Sequence, residues 1–408
     1  MPSTFDFDNR IDDRSPPPRK RKVNDPKAVD SQEIRAISKS IEAFANDLIK
    51  VVANDKKGNH VVSSLSAHVA LAMAAYGAKG STREQMFKGL HLPADDKLAL
   101  EGFDKFFHAI NNISEVILQV ANKMCISKKC TIKDDYKVTI DGIFHSETNF
   151  LDFSKPKEVV EIVNDWCSKS TRGKINEILS ESHFNKDTIV IILNAVYFNG
   201  NWQKRFSRYK TSIELFHVSP TTTVEVPMMR KRRYFPYKDL VQYNAECISI
   251  PYKNHDLSMI IILPKEIDGL EHIEKNWEKI NSECLNTSLF DNLKDVDLEL
   301  PRFRIETSIP LDTYLCQLGV DEMFGSEANF KGISDAFFRI TGAAQTALIE
   351  VNEEGTEAAA VTRLVGGGCG SPPKLVKFYV NRPFLFQIYD RNLEVSLFSG
   401  RIVNPIGK

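Results

Sequence analysis

The residue types that do chemistry are plentiful in this sequence, but their spacing builds no catalytic or metal centre. Seven cysteines stand at 125, 130, 167, 247, 284, 316 and 369, an odd and widely spaced set without a CxxC pair. That pattern argues against a disulfide framework and against a zinc site, and predicts that most are buried, inert thiols. Nine histidines are scattered, with no HExxH and no pair at ligand spacing. There is no G-x-S-x-G elbow, no phosphate-binding Walker loop and no G-x-G-x-x-G. The run Gly366-Gly367-Gly368-Cys369-Gly370 is glycine-rich, yet it leads into Pro372-Pro373 rather than opening a helix. An enzyme reading therefore has little support, and neither a metal nor a cofactor is expected.

Two charged clusters invite binding readings. Arg230-Lys231-Arg232-Arg233 follows Met228-Met229 and has the chemistry to hold a polyanion such as a glycosaminoglycan; a solvated loop between strands is the other reading. Arg19-Lys20-Arg21-Lys22 follows three prolines and is similar to a nuclear import signal, or else is a plain solvated charge run. Met1–Asp13 is polar and acidic and lacks the apolar core of a secretory signal, which points to cytoplasm or nucleus, with extracellular space as the alternative. Asn112 and Asn286 open N-x-S/T sequons that matter only in a secreted chain.

The elements that would position any site come next. Apolar content of 42% against 26% charged residues fits an ordinary globule, and the net charge of −1 excludes a global field drawing the chain to nucleic acid or membrane. No stretch approaches the roughly 20 apolar residues of a membrane span. Residues 1–30 read as a disordered leader and 31–408 as one large domain. Helical periodicity covers 33–52, 67–76, 82–90, 97–112 and 157–179, the last punctuated by Gly173. Thr188–Phe198 is β-branched and almost continuously apolar, as a strand buried on both faces should be, with Asn194 as a buried polar side chain that needs partners. Further strands are expected at 247–250, 257–263, 296–305, 384–389 and 395–403. Helices first and sheets after give an α+β class.

The most unusual stretch runs from Ala347 to Asn381. A strand over 347–352 enters a turn at Glu353-Glu354-Gly355, and about twenty small, flexible residues follow before the next large apolar anchor, Phe378. At the strand period of two, Thr356, Ala358, Ala360, Thr362, Leu364 and Gly366 share one face. Glu357, Ala359, Val361, Arg363 and Val365 share the other, which carries both charges. Such a segment suits two states, an exposed loop and a strand with one face inward. An Ala/Glu helix end or a plain flexible loop remains the alternative on residue types alone.

Glu353-Glu354-Gly355-Thr356-Glu357-Ala358-Ala359-Ala360 resembles, nearly residue for residue, the hinge of the serpin family. Other serpin-like signatures follow in order: Asn59-x-x-x-Ser63-x-x-Ser66; Asn194-Ala195-Val196-Tyr197-Phe198-x-Gly200-x-Trp202; Leu300-Pro301-Arg302-Phe303; Asn381-Arg382-Pro383-Phe384-Leu385-Phe386; and Gly400-Arg401-Ile402-Val403-Asn404-Pro405. The resemblance covers about residues 33–406 and is arthropod-like. It implies three β-sheets with a large central one, about nine helices, and a reactive loop over about 353–377. It also implies a monomeric suicide inhibitor: a protease forms an acyl-enzyme at the bait bond, and the cut loop inserts as a new strand, leaving a covalent one-to-one complex.

Family register puts the bait bond about fourteen positions after the hinge glycine and about nine before Phe378, and both counts reach Cys369–Gly370. A bait so small suits an elastase- or chymotrypsin-like serine protease, or a cysteine protease, better than a trypsin-like one. The resemblance further implies a polar cluster of Ser63, Ser66, Asn194 and Gln345 under the sheet, a tryptophan (Trp202) at its opening end, and a Glu353–Arg302 hinge pair. Ser64 stands where relatives carry proline and Gln345 where many carry histidine; the cluster is expected to survive both. The rivals are a non-inhibitory carrier, storage or chaperone serpin, and a nuclear binding protein using the basic tail.

Overall fold

In a computed structural model of the chain, residues 31–407 are described, except 112, 114, 145–146, 182–189, 255 and 355–374. Helix α1 (Gln32–Asp55) starts where the Ser31 hydroxyl accepts a hydrogen bond from the Ile34 amide at 3.3 Å. Its stripe Ile34, Ile37, Ile41, Phe44, Leu48 and Val52 is buried, as the periodicity predicts. After the short β1 (His60–Val62), Ser63 caps α2 (Ser64–Gly77), which is apolar all round and buried along its length. It stops at Gly77, where a Cβ would sit 2.1 Å from the Ile333 side chain.

Helices α3 (Gly80–Gly89) and α4 (Asp96–Asn111) complete the helical first third. Then come β2 (Val116–Ser127), α5 (Asp134–Thr139), β3 (Glu147–Leu151), α6 (Pro156–Ser170) and β4 (Val190–Gly200). Strands β5 (Ser212–Ser219), β6 (Thr222–Leu240), β7 (Ala245–Pro251) and β8 (Leu257–Pro264) follow, then α7 (Leu270–Lys275), α8 (Trp277–Cys284) and α9 (Thr287–Asp291). The chain closes through β9 (Leu293–Pro301), β10 (Phe303–Pro310), α10 (Leu311–Gln317), β11 (Ile340–Val351), β12 (Val376–Tyr379), β13 (Phe384–Asp390) and β14 (Val395–Ile402). Ten α-helices among the described residues sit close to the expected nine, and the class is α+β.

Five strands form one sheet in the order β10-β11-β4-β2-β3. Its central pair, β4 and β11, is parallel, with Ile340 opposite Val190, a register shift before Gly342, and then continuous pairing from Gly342 opposite Ile191 to Ile349 opposite Phe198. Nine strands form the second system, β1-β14-β13-β8-β7-β6-β9-β12 with β5 on β6. The 19-residue β6 joins its halves: Met228–Pro236 pairs with β9, and Tyr237–Leu240 pairs with β7. Two of the three expected sheets thus share one long strand. A second, smaller apolar cluster lies on the outer face of the five-stranded sheet, where α6 and the segment after it bury Val163, Cys167, Ile175 and Leu179 against Leu193, Tyr197 and Leu348.

Three readings of the sequence change. The helix expected over 157–179 ends at Ser170, because Arg172 (φ +54°) and Gly173 (φ +73°) turn left-handed and the Gly173 amide closes on the Ser168 carbonyl at 2.7 Å. The strand expected over 296–305 breaks at Arg302 into β9 and β10, which belong to different sheets. Arg230–Arg233 lies within β6, not in a loop.

Candidate functional site

The expected reactive bond Cys369–Gly370 and the hinge residues Gly355, Thr356, Glu357, Ala358, Ala359 and Ala360 lie outside the described residues, as do Arg19–Lys22 and Asn112. Both anchors of the loop are described. On one side the chain leaves β11 through Asn352, Glu353 and Glu354, all fastened to the segment after β4. The Trp202 indole donates to the Asn352 carbonyl at 2.7 Å, the Phe206 amide to Glu353 at 3.1 Å and the Trp202 amide to Glu354 at 3.2 Å. Trp202 is held in turn by stacking on Tyr252, ring centroids 4.5 Å apart.

Glu353 is 5% exposed. Its carboxylate accepts from the Thr211 hydroxyl at 2.8 Å and pairs with the Arg302 guanidinium at 3.5 Å. Arg302 is half-exposed, so this ion pair is worth about 1 kcal/mol or less. Thr211, which the sequence analysis missed, supplies the shorter contact; Arg208 pairs with Glu354 beside it. On the other side, β12 is the edge strand and runs parallel to β9, and the Tyr379 hydroxyl donates to Asp297 at 3.1 Å.

Between the anchors lies the β4–β11 seam, with a polar cluster on its inner face. Register builds that cluster: Gln345 of β11 is opposite Asn194 of β4, and Asn194 is opposite Asn122 of β2. The Gln345 amide donates to the Asn194 side-chain oxygen at 2.6 Å and to the Ser63 carbonyl at 2.9 Å, while its own oxygen accepts from the Ser63 amide at 2.9 Å. The Asn194 amide donates to Asn122 at 2.5 Å and to the Ser66 hydroxyl. The Ser63 hydroxyl donates to the Leu397 carbonyl of β14 at 2.7 Å, tying the two sheet systems together. The structure thus brings together Ser63, Ser66, Asn194 and Gln345, and holds Trp202 apart from them at the seam's end. Asn122 went unrecognised because Val116–Ser127 was not read as a strand, though its Val-Ile-Leu-Gln-Val opening carries the signal.

The family model described as Serpin (serine protease inhibitor) matches residues 39–405. The chain belongs to the serpin family. Human Serpin B3 is 32% identical over 394 residues, covering 91% of this chain and all of the relative. Antitrypsin of Bombyx mori is 30% identical, covering 87% of this chain and 90% of the relative. The crystal structure of Serpin48, described as a highly specific serpin of the insect Tenebrio molitor, superposes with a TM-score of 0.81 at 28% identity, covering 92% of this chain and 99% of that one.

The two departures from the serpin pattern have different consequences. Gln345 makes three hydrogen bonds where many serpins place histidine, and its uncharged amide gives the cluster no titratable member. Ser64 opens α2 with a buried hydroxyl that finds no partner among the described residues. The basic cluster is partly paired within the sheet. Arg230 forks onto Asp297 at 3.2 and 2.6 Å, and Arg232 onto Asp295 at 3.2 and 2.8 Å. Lys231 is buried and donates to the Lys204 and Arg205 carbonyls. The Arg230 and Arg232 charges are thus paired with carboxylates of the neighbouring strand, which leaves less charge to hold a polyanion.

Of the six described cysteines, five are buried and Cys316 is exposed. Burial pushes the Cys125 and Cys167 thiols up to about 12, which keeps them protonated and unreactive. The exposed Asn286 caps α9, its side-chain oxygen accepting from the Ser288 amide at 3.1 Å. No helix among the described residues is long and apolar enough to cross a membrane.

Proposed function

We propose that the chain is a suicide inhibitor of an endopeptidase, with Cys369–Gly370 as the bait bond. One observation carries this reading: β4 and β11 pair directly, and the segment with alternating small residues leaves from the end of β11 itself. A cut loop that stays attached at Glu354 needs only to turn back between these two strands to gain hydrogen bonds on both sides. In the proposed reaction the protease nucleophile attacks the Cys369 carbonyl, the Gly370 amine leaves, and Cys369 remains ester- or thioester-linked to the enzyme. Residues from Thr356 onward then enter the seam and drag the acyl-enzyme with them before water can release it. Small side chains at Thr356, Ala358 and Ala360 make that entry free of packing clashes. The small bait favours an elastase- or chymotrypsin-like serine protease, with a cysteine protease as the other nucleophile. The names of the relatives, antitrypsin among them, support inhibition as the activity.

The test is to mix the purified chain with elastase-, chymotrypsin-, trypsin- and papain-like proteases and run a denaturing gel. A covalent one-to-one complex with cleavage after Cys369 is expected; cleavage without a complex overturns the reading. That negative outcome would favour a carrier, for which one observation speaks. A cavity of about 270 Å³ between α1, α7, α8 and β14 is lined by Trp277, His60 and Ser399, and the His60 Nδ1 and Ser399 hydroxyl are buried without a partner among the described residues.

A further inference from the structure

The polar cluster under the seam has a counterpart on the outer face, nearer the end where a strand would enter. Glu350 is the last outward-facing residue of β11, and its carboxylate is mostly buried. It accepts from the Tyr197 hydroxyl of β4 at 3.0 Å, so one hydrogen bond bridges the two strands that must part. Lys174 donates to both of its oxygens at 3.1 Å and lies 5.5 Å from the Tyr197 ring centroid. Arg304 of β10 adds a contact to the carboxylate at 3.2 Å and reaches the Lys174 carbonyl at 3.5 Å.

Lys174 is aimed there by a built turn. The Thr171 hydroxyl donates to the Cys167 carbonyl at 2.7 Å and accepts from the Ile175 amide at 3.0 Å, while Arg172 and Gly173 take the left-handed conformation that reverses the chain. Ile175, Ile178 and Leu179 then cover the seam. One carboxylate therefore ties both seam strands to the segment lying over them.

We propose that Glu350, Tyr197 and Lys174 form a clasp that must open before a strand can enter between β4 and β11, and that the clasp sets the insertion rate. This rests on the proposed inhibitory function. Strands in a sheet lie about 4.8 Å apart, so an inserted strand separates β4 from β11 by roughly 10 Å. The Tyr197–Glu350 hydrogen bond does not survive that separation. The clasp therefore stabilises only the uncleaved form, whereas an ordinary surface network would stabilise both. Glu350 and Tyr197 are positioning residues, remote from the bait bond and from any reacting atom.

The test uses the full chain, wild type and the variants Tyr197→Phe and Glu350→Gln, with a fluorescent synthetic peptide of the sequence 356–366 as the probe. Loss of a hydrogen bond to a charged group is expected to raise the rate of peptide incorporation about tenfold. Tyr197→Phe should lower the melting temperature of the uncleaved chain and leave that of the loop-cleaved chain unchanged. Glu350→Gln should lower both, the uncleaved one more, because Arg304 of β10 stays opposite Glu350. Tyr197→Phe keeps the ring and its packing, so it reports even if Glu350→Gln folds poorly. Incorporation rates within about twofold of wild type, or equal melting shifts in both forms, overturn the clasp while leaving the inhibitor reading standing. If the wild type takes up no peptide and gains no stability on loop cleavage, the inhibitor reading falls and takes the clasp with it.

Discussion

Gln345 and Asn194 are fully buried amides; Gln345 bonds only to buried groups, while Asn194 also reaches the half-buried Asn122. Replacing Gln345 by alanine leaves the Ser63 amide and the Asn194 oxygen without partners, and should cost about 2–3 kcal/mol in urea unfolding of the uncleaved chain. Gln345→His is the informative contrast, since it should retain most of that stability at pH 8 and lose part of it in acid as the imidazole charges. Ser64 is the opposite case, a buried hydroxyl without a partner among the described residues, at the first residue of a helix. Ser64→Pro should stabilise the chain by about 0.5–1 kcal/mol, read as a higher melting temperature.

Two buried histidines make a pH prediction. Burial, the main cause in both, holds His60 and His68 down to about 4, against 6.5 for a free side chain. The unfolded chain therefore takes up protons first as pH falls. The two histidines thus contribute a loss of stability as pH falls from about 6.5 toward 4. Set against it is the opposite contribution of Glu42 and Asp390, whose carboxyls burial raises to about 7 and about 6. The histidine part is a drop in the urea midpoint between pH 7.5 and pH 5. His68→Gln should flatten that drop while keeping a group able to bond the Ser40 hydroxyl, which lies 2.8 Å from the imidazole.

At the scale of elements, legibility followed periodicity. α1 and β4 were readable because each carries one unbroken period, a helical stripe in the first and a continuous buried run in the second. β6 was not: its charged Arg-Lys-Arg-Arg centre reads as a loop until β9 is seen to supply Asp295 and Asp297 opposite. The residues of the polar cluster were legible through family resemblance, but Asn122 and Thr211 were not, because each owes its place to cross-strand register or to a turn that local sequence does not encode. Nor does Glu350 announce itself; only the strand parity of β11, together with the turn at Arg172-Gly173, aims Lys174 at it. The hinge gives the element-scale prediction. Thr356→Arg should slow strand entry by forcing a charge toward the sheet interior, so that the protease cuts the loop and leaves. A denaturing gel should then show cleaved chain with little or no covalent complex.

For the whole molecule, the inhibitor reading requires that the uncleaved chain be folded short of its most stable arrangement. Melting before and after loop cleavage by a protease that does not form a complex checks this. The cleaved chain should melt well above the intact one, and equal melting temperatures would count against stored strain. Nothing local in the sequence announces such an arrangement; it lies in the direct pairing of β4 with β11 and in the Ser63 hydroxyl reaching Leu397, which couples the seam to the second sheet system.

The parallel run of β11 beside β4 also acts as a ruler. Twelve residues of β11 at about 3.3 Å each span roughly 40 Å, so a strand laid alongside carries its far end that distance from the Glu353 turn. About fourteen residues separate Gly355 from Cys369, enough to fill that length with little left over. A protease bound at Cys369 would be drawn hard against the far pole of the molecule. Two or three residues added between Leu364 and Cys369 would let it ride free, with its catalytic machinery undisturbed and time to let go.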